Sequence, residues 1–218
     1  MPIDHNPLIY KDSQAIGGRE IILFLVALPL VGLPAFWLLP DRSLLSLLGL
    51  FFGVGLLTVI VAVVPLGRAA LPALGFRAVG WKPLVLGTLG TIALSVAVSQ
   101  LGIEPQGVKQ AMQIAREPAA FLITLFLLAV LAPLVEELVF RGLLYGWIES
   151  RWGAGLAFVV SSLAFAAAHV EPAHALLVLP LGLIFGLLRW RTRSLWPSLV
   201  AHMANNGLAV AAAAYLQA

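Results

Sequence analysis

Long apolar runs separated by short polar breaks dominate the sequence. A helix needs about 20 predominantly apolar residues to span a bilayer, and most of the runs approach or exceed that length. The runs cover residues 21–39, 45–66, 83–102, 119–147, 154–170, 174–189 and 195–216. This pattern predicts an all-α polytopic membrane helix bundle with about seven transmembrane helices. No internal repeat interrupts it, so residues 1–218 are interpreted as a single transmembrane domain.

Two of the breaks are long enough to hold structure of their own. Residues 103–118 predict a short amphipathic helix outside the bilayer, because four apolar residues fall on one helix face. These are Val108, Ala111, Met112 and Ala115. Residues 69–82 are predicted to lie along the membrane surface. The first run is too long for the apolar part of a signal peptide and has no small-residue cleavage site, so it is interpreted as a spanning helix.

Composition and charge agree with a membrane protein. The chain is 61% hydrophobic and 11% charged, whereas a soluble domain has about 25% charged residues. Membrane lipid is therefore an expected partner. No basic cluster with interleaved aromatic residues indicates nucleic-acid binding, and none is expected. The absence of cysteine excludes disulfides, thiolate metal sites and a thiol nucleophile.

The distribution of Lys and Arg predicts the orientation of the chain. The N-terminal tail and the second, fourth and sixth loops carry nine of these residues, Lys11 among them, and the other loops carry three. Under the positive-inside rule the N-terminus is cytoplasmic.

Few strongly polar residues interrupt the last four runs. They are Glu136, Glu137, Arg141, His169, His202 and Asn206. An ionisable side chain within the hydrocarbon costs about 2.5–3.5 kcal/mol on insertion scales and is a functional-site hypothesis by default. Counting the helical rise from the ends of the runs places these residues of three helices at overlapping depths. We therefore expect them to share one hydrated cavity.

Spacing along each helix separates these residues into groups. Glu137 and Arg141 are four residues apart, so they share a helix face and are expected to pair. Glu136 points about 100° away around the helix and is left free for chemistry. His202 and Asn206 are also four residues apart and can face one cavity.

Two further residues are expected to shape this cavity. Phe165 lies four residues before His169, so its ring can pack under the imidazole. Pro133 has no N–H and loosens the helix just before the two glutamates.

The residue types allow two kinds of chemistry. A water near Glu136 and His169 is a plausible nucleophile with Glu136 as its general base, while His202 and Asn206 can donate hydrogen bonds to an oxyanion. Alternatively, Glu136, His169 and His202 can hold a divalent metal such as zinc. The chain has no H-E-x-x-H motif, so the common zinc-protease pattern does not apply. The residues alone do not choose between these two possibilities.

Three motifs together resemble a known family. They are Glu136-Glu137-x-x-x-Arg141, Phe165-x-x-x-His169 and His202-x-x-x-Asn206, in that order on apolar helices. This arrangement is similar to the CPBP family, the CAAX protease and bacteriocin-processing (Abi) family of intramembrane proteases, which includes prenyl-protein endopeptidases. The catalytic core that carries the resemblance extends over about residues 119–216.

The resemblance implies an intramembrane endopeptidase that hydrolyses a peptide bond of a membrane-associated peptide or protein substrate. It assigns water activation to Glu136 and His169, and oxyanion stabilisation to His202 and Asn206. The remaining motif residues are supporting ones: Glu137, Arg141 and Phe165. Members of the family are often described as metalloproteases, so zinc-dependent and metal-independent mechanisms both stay open. The expected location is the bacterial inner membrane.

Two other functions fit the same residues. A bacteriocin-immunity or partner-binding membrane protein would keep the scaffold and tolerate Glu136→Gln. A proton-coupled transporter would use Glu136 and His169 as a relay, although such proteins typically show inverted repeats and broken helices.

Several other residues have structural interpretations. His174 has no matching partner in the motifs and is interpreted as interfacial. Gly142-x-x-x-Gly146 and Gly182-x-x-x-Gly186 are interpreted as small-residue packing faces. Arg189, Arg191 and Arg193 are interpreted as topology signals that face anionic lipid.

Overall fold

The structure is a computed structural model that describes residues 15–215. In that range the chain forms helices and no strand. The helices are α1 (Gly18–Leu38), α2 (Leu44–Val63), α3 (Ala70–Leu74), α4 (Trp81–Ser99), α5 (Gln106–Ala115), α6 (Pro118–Trp152), α7 (Ala154–Ala167), α8 (Pro172–Thr192) and α9 (Trp196–Tyr215). A 3₁₀ segment, Val64–Ala69, joins α2 to α3. The all-α prediction is confirmed. Lys11 and the end of the last predicted run, Leu216, lie outside the described residues.

Each of the seven apolar runs contains a helix, but the helices differ in length. Among the described residues, five are long and apolar enough to cross a membrane: α1, α2 with its extension to Leu74, α4, α6 and α8. α7 is apolar but has only 14 residues, about 21 Å at 1.5 Å per residue. That is shorter than the hydrocarbon core of about 30 Å. The chain is an integral, multi-pass membrane protein.

α7 ends three residues before the run from which it was predicted, and a turn leads from it to Pro172. Pro172 opens α8, and the preceding Glu171 is extended, with φ −69° and ψ 117°. A residue before proline avoids the α region for steric reasons. The turn between the helices also contains Val170 in a left-handed conformation, φ 54°. His169 therefore lies in a turn and not on a helix.

The long helix α6 is the centre of the bundle. It packs against α2, α7 and α9, while α8 packs against α7 and α9. α4 lies on the outer side of α8 and α9, and α1 packs mainly on α2. Phe165, Phe185 and Ala201 bring α7, α8 and α9 together in one buried apolar cluster beside α6.

The two long breaks differ in how well they were predicted. The amphipathic helix is present as α5, and the two residues that it buries, Ala111 and Ala115, lie on the predicted face. Residues 69–82 contain α3, which was not predicted as a helix, and part of it packs against the rest of the protein. Ala73 and Leu74 of α3 are buried, and a Cβ on Gly142 of α6 would meet the Leu74 side chain at 2.8 Å.

Candidate active site

The backbone of α6 changes its helical register on both sides of Glu136. Phe126–Leu131 and Glu137–Leu144 are π-helical, and only the five residues Ala132–Glu136 between them are α-helical. Such π-bulges are rare and occur frequently at functional sites. A change of register rotates the side chains that follow it, so these segments decide which way the two glutamates point.

Pro133 leaves one carbonyl of the first π segment without its usual donor. The N–H of Ala132 binds the carbonyl of Leu127, five residues earlier. In the same register the next donor would be the N–H of residue 133 on the carbonyl of Leu128, and proline has none. The side-chain amide of Asn206 donates to the Leu128 carbonyl instead, at 3.0 Å. Asn206 thereby fastens α9 to the loosened part of α6.

Glu137 and Arg141 form the predicted pair in full isolation from solvent. The distance between Arg141 Nη1 and Glu137 Oε1 is 3.2 Å, and both side chains are completely buried. Arg141 Nη2 also donates to the carbonyl of Gly182 on α8, at 2.9 Å. The guanidinium lies over the Phe165 ring, 4.3 Å from its centroid. A buried arginine is tolerable only with such partners, and these partners connect α6 to α7 and α8.

His202 lies between the two glutamates. Its Nδ1 is 3.2 Å from Glu137 Oε1, and its Nε2 is 3.5 Å from Glu136 Oε2. Because a carboxylate and a bare ring nitrogen are both acceptors, this contact is favourable when either Nε2 or Oε2 carries a proton. Phe185 stacks on the imidazole, with 4.5 Å between ring centroids and an interplanar angle of 20°.

His169 is held in one tautomer by a backbone carbonyl. Its Nδ1 is 2.9 Å from the carbonyl oxygen of Phe165, and a carbonyl can only accept. Nδ1 therefore carries the proton, which leaves Nε2 with a lone pair. The imidazole is half-buried and interacts electrostatically with Glu136, as does His202.

Phe165 is in contact with most of this site. Its ring lies edge-on to His169 at 5.0 Å and to His202 at 5.7 Å between centroids. The predicted packing of Phe165 beneath His169 is therefore present. Phe140 and Phe185 complete the aromatic wall, at 5.6 and 6.2 Å from Phe165.

The structure thus brings together most of the residues that the sequence singled out. Glu136, Glu137, Arg141, His202 and Phe165 form one connected cluster, with His169 on its edge. Asn206 also makes contacts that the sequence did not predict. Its amide is directed to the Leu128 carbonyl, while its Oδ1 accepts a hydrogen bond from Asn205 at 3.3 Å.

The metal alternative fits this geometry poorly. In the part of the chain that the structure describes, no three His, Asp or Glu side chains are grouped so as to hold a metal ion. Nδ1 of His169 faces the Phe165 carbonyl, and both nitrogens of His202 face carboxylates. The set Glu136, His169 and His202 does not form a metal centre in this arrangement.

Two residues that line the site were not predicted from the sequence. Phe185 is one apolar residue in an apolar helix, and no sequence signal distinguishes it from its neighbours. His174 was interpreted as interfacial, but its ring lies edge-on to His169 at 4.5 Å between centroids. His169 lies in the turn after α7 and His174 lies in α8. Helical spacing therefore could not relate two histidines that are five residues apart.

Arg189 corrects another prediction, because it does not face lipid. Only 3% of the residue is exposed, its Nε donates to the carbonyl of Arg141 at 3.2 Å, and its Cζ lies 4.7 Å from the centroid of the Tyr145 ring. A Cβ on Gly75 would lie 2.9 Å from its guanidinium. Glycine at that position, with φ 98°, allows this close approach. Arg189 ties α8 to the back of the site.

The two small-residue faces are also occupied within the chain. Gly182 and Gly186 lie against Phe165 and Ser162 of α7, and a Cβ on either glycine would come within 3.0 Å of them. Gly146 packs against Ile16. These glycines let neighbouring segments of the same chain approach closely.

The fold and the site together define a polytopic helical membrane protein with a buried carboxylate–imidazole cluster. Residues 118–208 match the family model described as Type II CAAX prenyl endopeptidase Rce1-like. This match covers less than half of the chain, and this part is similar to the CPBP, or CAAX protease, family. The resemblance inferred from the motifs is confirmed.

A curated relative carries the name of a membrane peptidase. The chain is 29% identical over 82 residues to the Bacillus subtilis (strain 168) protein named "Putative membrane peptidase YdiL". The aligned part is 38% of this chain and 34% of the relative, so the match spans about a third of the relative's length. No solved structure gives a significant match.

Proposed function

We propose that this protein is an intramembrane endopeptidase of the CAAX protease type, which hydrolyses a peptide bond of a membrane-associated substrate. One observation supports the proposal most directly. His202 lies between Glu136 and Glu137 inside the bundle, and His169 interacts electrostatically with Glu136. The family model that residues 118–208 match describes an endopeptidase, which supports the same class of reaction.

In the proposed mechanism a water molecule binds between Glu136 and the lone pair on Nε2 of His169. Glu136 takes a proton from this water as its oxygen attacks the substrate carbonyl carbon. In this step Glu136 is ionised and Nε2 of His202 carries a proton. This N–H donates a hydrogen bond to the developing oxyanion. When the C–N bond breaks, the proton held by Glu136 passes to the leaving amine.

The remaining motif residues hold this arrangement in place. Glu137 accepts from Nδ1 of His202 and pairs with Arg141, so the imidazole keeps its orientation. Asn206 also fastens α9 onto α6 through the Leu128 carbonyl, and the second N–H of its amide can donate to the oxyanion, the role that the resemblance implies. No step of this mechanism is assigned to a metal ion, since the residues do not converge as its ligands.

We further propose that the protein resides in a bacterial inner membrane with its N-terminus in the cytoplasm. The Lys and Arg residues favour this orientation. His169 and α5 would then lie on the external side of the bundle.

Cleavage by purified variants tests the proposed function. Wild type, Glu136→Gln and His169→Ala are compared in detergent on a library of membrane-proximal peptides. Glu104→Gln is the matched control, because the Glu104 side chain is 74% exposed and belongs to the loop before α5. We expect wild type and Glu104→Gln to cleave equally, and the other two to lose at least about 10²-fold in rate, as is typical for removal of a general base. Equal cleavage by all four proteins would contradict the catalytic assignment.

A further inference from the structure

His174 occupies a position that the proposed mechanism does not use. It lies in the first turn of α8 and is half-buried. Its ring is 4.5 Å from the His169 ring between centroids, at an interplanar angle of 76°. Such edge-to-face contacts between rings are favourable and directional.

His169 needs support from outside its own segment. It lies in the turn after α7, next to the left-handed Val170, so no continuing helix fixes its backbone. Its other two contacts, the Phe165 carbonyl at 2.9 Å and the Phe165 ring at 5.0 Å, both come from the end of α7. Of the ring contacts to His169, the one from His174 is made by a different helix.

The neighbouring carboxylate is engaged elsewhere. Glu171 accepts the backbone N–H of Gln106 at 2.8 Å and that of Gly107 at 3.4 Å. Its carboxylate therefore serves the N-terminus of α5, where a negative charge is favourable. His169 and His174 contact each other through their rings.

We propose that His174 is a positioning residue that holds the His169 imidazole in the orientation in which Nδ1 donates to the Phe165 carbonyl. Its ring contacts His169 from α8, whereas the Phe165 ring and carbonyl contact it from α7. The effect on cleavage rests on the proposed function, whereas the effect on the orientation and tautomer of His169 does not.

Two substitutions separate ring packing from imidazole chemistry. His174→Phe keeps an aromatic ring against His169, and His174→Ala removes it. The chain has four histidines, so protein with ¹⁵N-labelled histidine in detergent gives few signals, and His169→Gln identifies the one of interest. We expect wild type and His174→Phe to show His169 with its proton on Nδ1, and His174→Ala to show a mixture of the two tautomers.

Cleavage kinetics give the second readout. We expect His174→Ala to lower kcat about tenfold at nearly unchanged KM, because small misplacements of catalytic groups lower the rate steeply. His174→Phe should stay within about twofold of wild type. Thermal unfolding of each variant checks the fold, and His174→Gln replaces His174→Ala if the latter does not fold.

Either of two results would overturn the proposal. One is a His169 tautomer that does not change in His174→Ala. The other is a His174→Phe variant that loses as much kcat as His174→Ala while keeping the tautomer, which would make the imidazole itself necessary. If wild type cleaves no peptide, the proposed function fails and the tautomer measurement still decides the role of His174.

Discussion

Glu137 and Arg141 carry full charges in the interior of the bundle, and their partners explain how the fold tolerates them. Each side chain is 0% exposed, and the two are 3.2 Å apart. Arg141 also reaches Gly182, and Glu137 also reaches His202. The pairing could be predicted, since four residues separate the two on one helix. The contact of His202 could not, because it depends on how α9 packs against α6.

Removing one member of this pair should destabilise the protein more than removing both. Arg141→Leu leaves Glu137 buried without its cation, and breaking a buried pair in this way costs about 3–5 kcal/mol. Arg141→Leu with Glu137→Leu removes both charges and should recover much of that loss. Thermal unfolding in detergent measures the difference.

A double variant no more stable than Arg141→Leu would contradict this account of the pair. Arg191→Leu is the control, because Arg191 is exposed and its guanidinium lies near the Trp190 ring at the end of the same helix.

The irregular backbone of α6 is the element that places the glutamates. Two π-helical segments surround Ala132–Glu136, and Asn206 replaces the donor that Pro133 lacks. The sequence showed that Pro133 loosens the helix. It could not show the π register, because hydrophobic patterns report which side of a helix is buried and not which carbonyl each N–H binds. For that reason the contact of the Asn206 amide with α6 was not predicted.

Pro133 and Asn206 should therefore be coupled in a double-mutant cycle. Asn206→Leu leaves the Leu128 carbonyl without a donor and should cost about 1–3 kcal/mol. In a Pro133→Ala background the new N–H of residue 133 can serve that carbonyl, so the same change should cost less. We expect a coupling of about 0.5–3 kcal/mol from thermal unfolding of the four proteins.

Additive costs in that cycle would show that Asn206 does not compensate for Pro133. Asn205→Leu, combined with Pro133→Ala in the same way, is the control, because Asn205 donates to Asn206 and not to α6.

At the scale of the whole molecule, the order of apolar runs was enough to predict a polytopic helical bundle. The lengths were less well predicted, since the helix that carries Phe165 ends three residues before its apolar run does. α7 is consequently short, and His169 lies in the turn that follows it. Arg189 was misread for a related reason: composition counts it as a loop charge, but the fold buries it.

The orientation of the chain can be tested with two matched serines. Ser99 ends α4 and Ser150 lies near the end of α6, both are exposed, and each hydroxyl binds a carbonyl three residues earlier. Because the protein has no cysteine, Ser99→Cys and Ser150→Cys each introduce a single thiol. We expect a membrane-impermeant maleimide to label Ser99→Cys in intact cells, and Ser150→Cys only after lysis. The reverse pattern would place the N-terminus outside the cell.

The oxygen of the attacking water can be followed to test whether Glu136 activates it. Wild type and Glu136→Gln are incubated with a cleaved peptide in H₂¹⁸O, and the product masses are measured at early time points. We expect one ¹⁸O atom in the new carboxyl group of the wild-type product, and almost no product from Glu136→Gln. Equal amounts of labelled product from both proteins would contradict the assignment of water activation to Glu136.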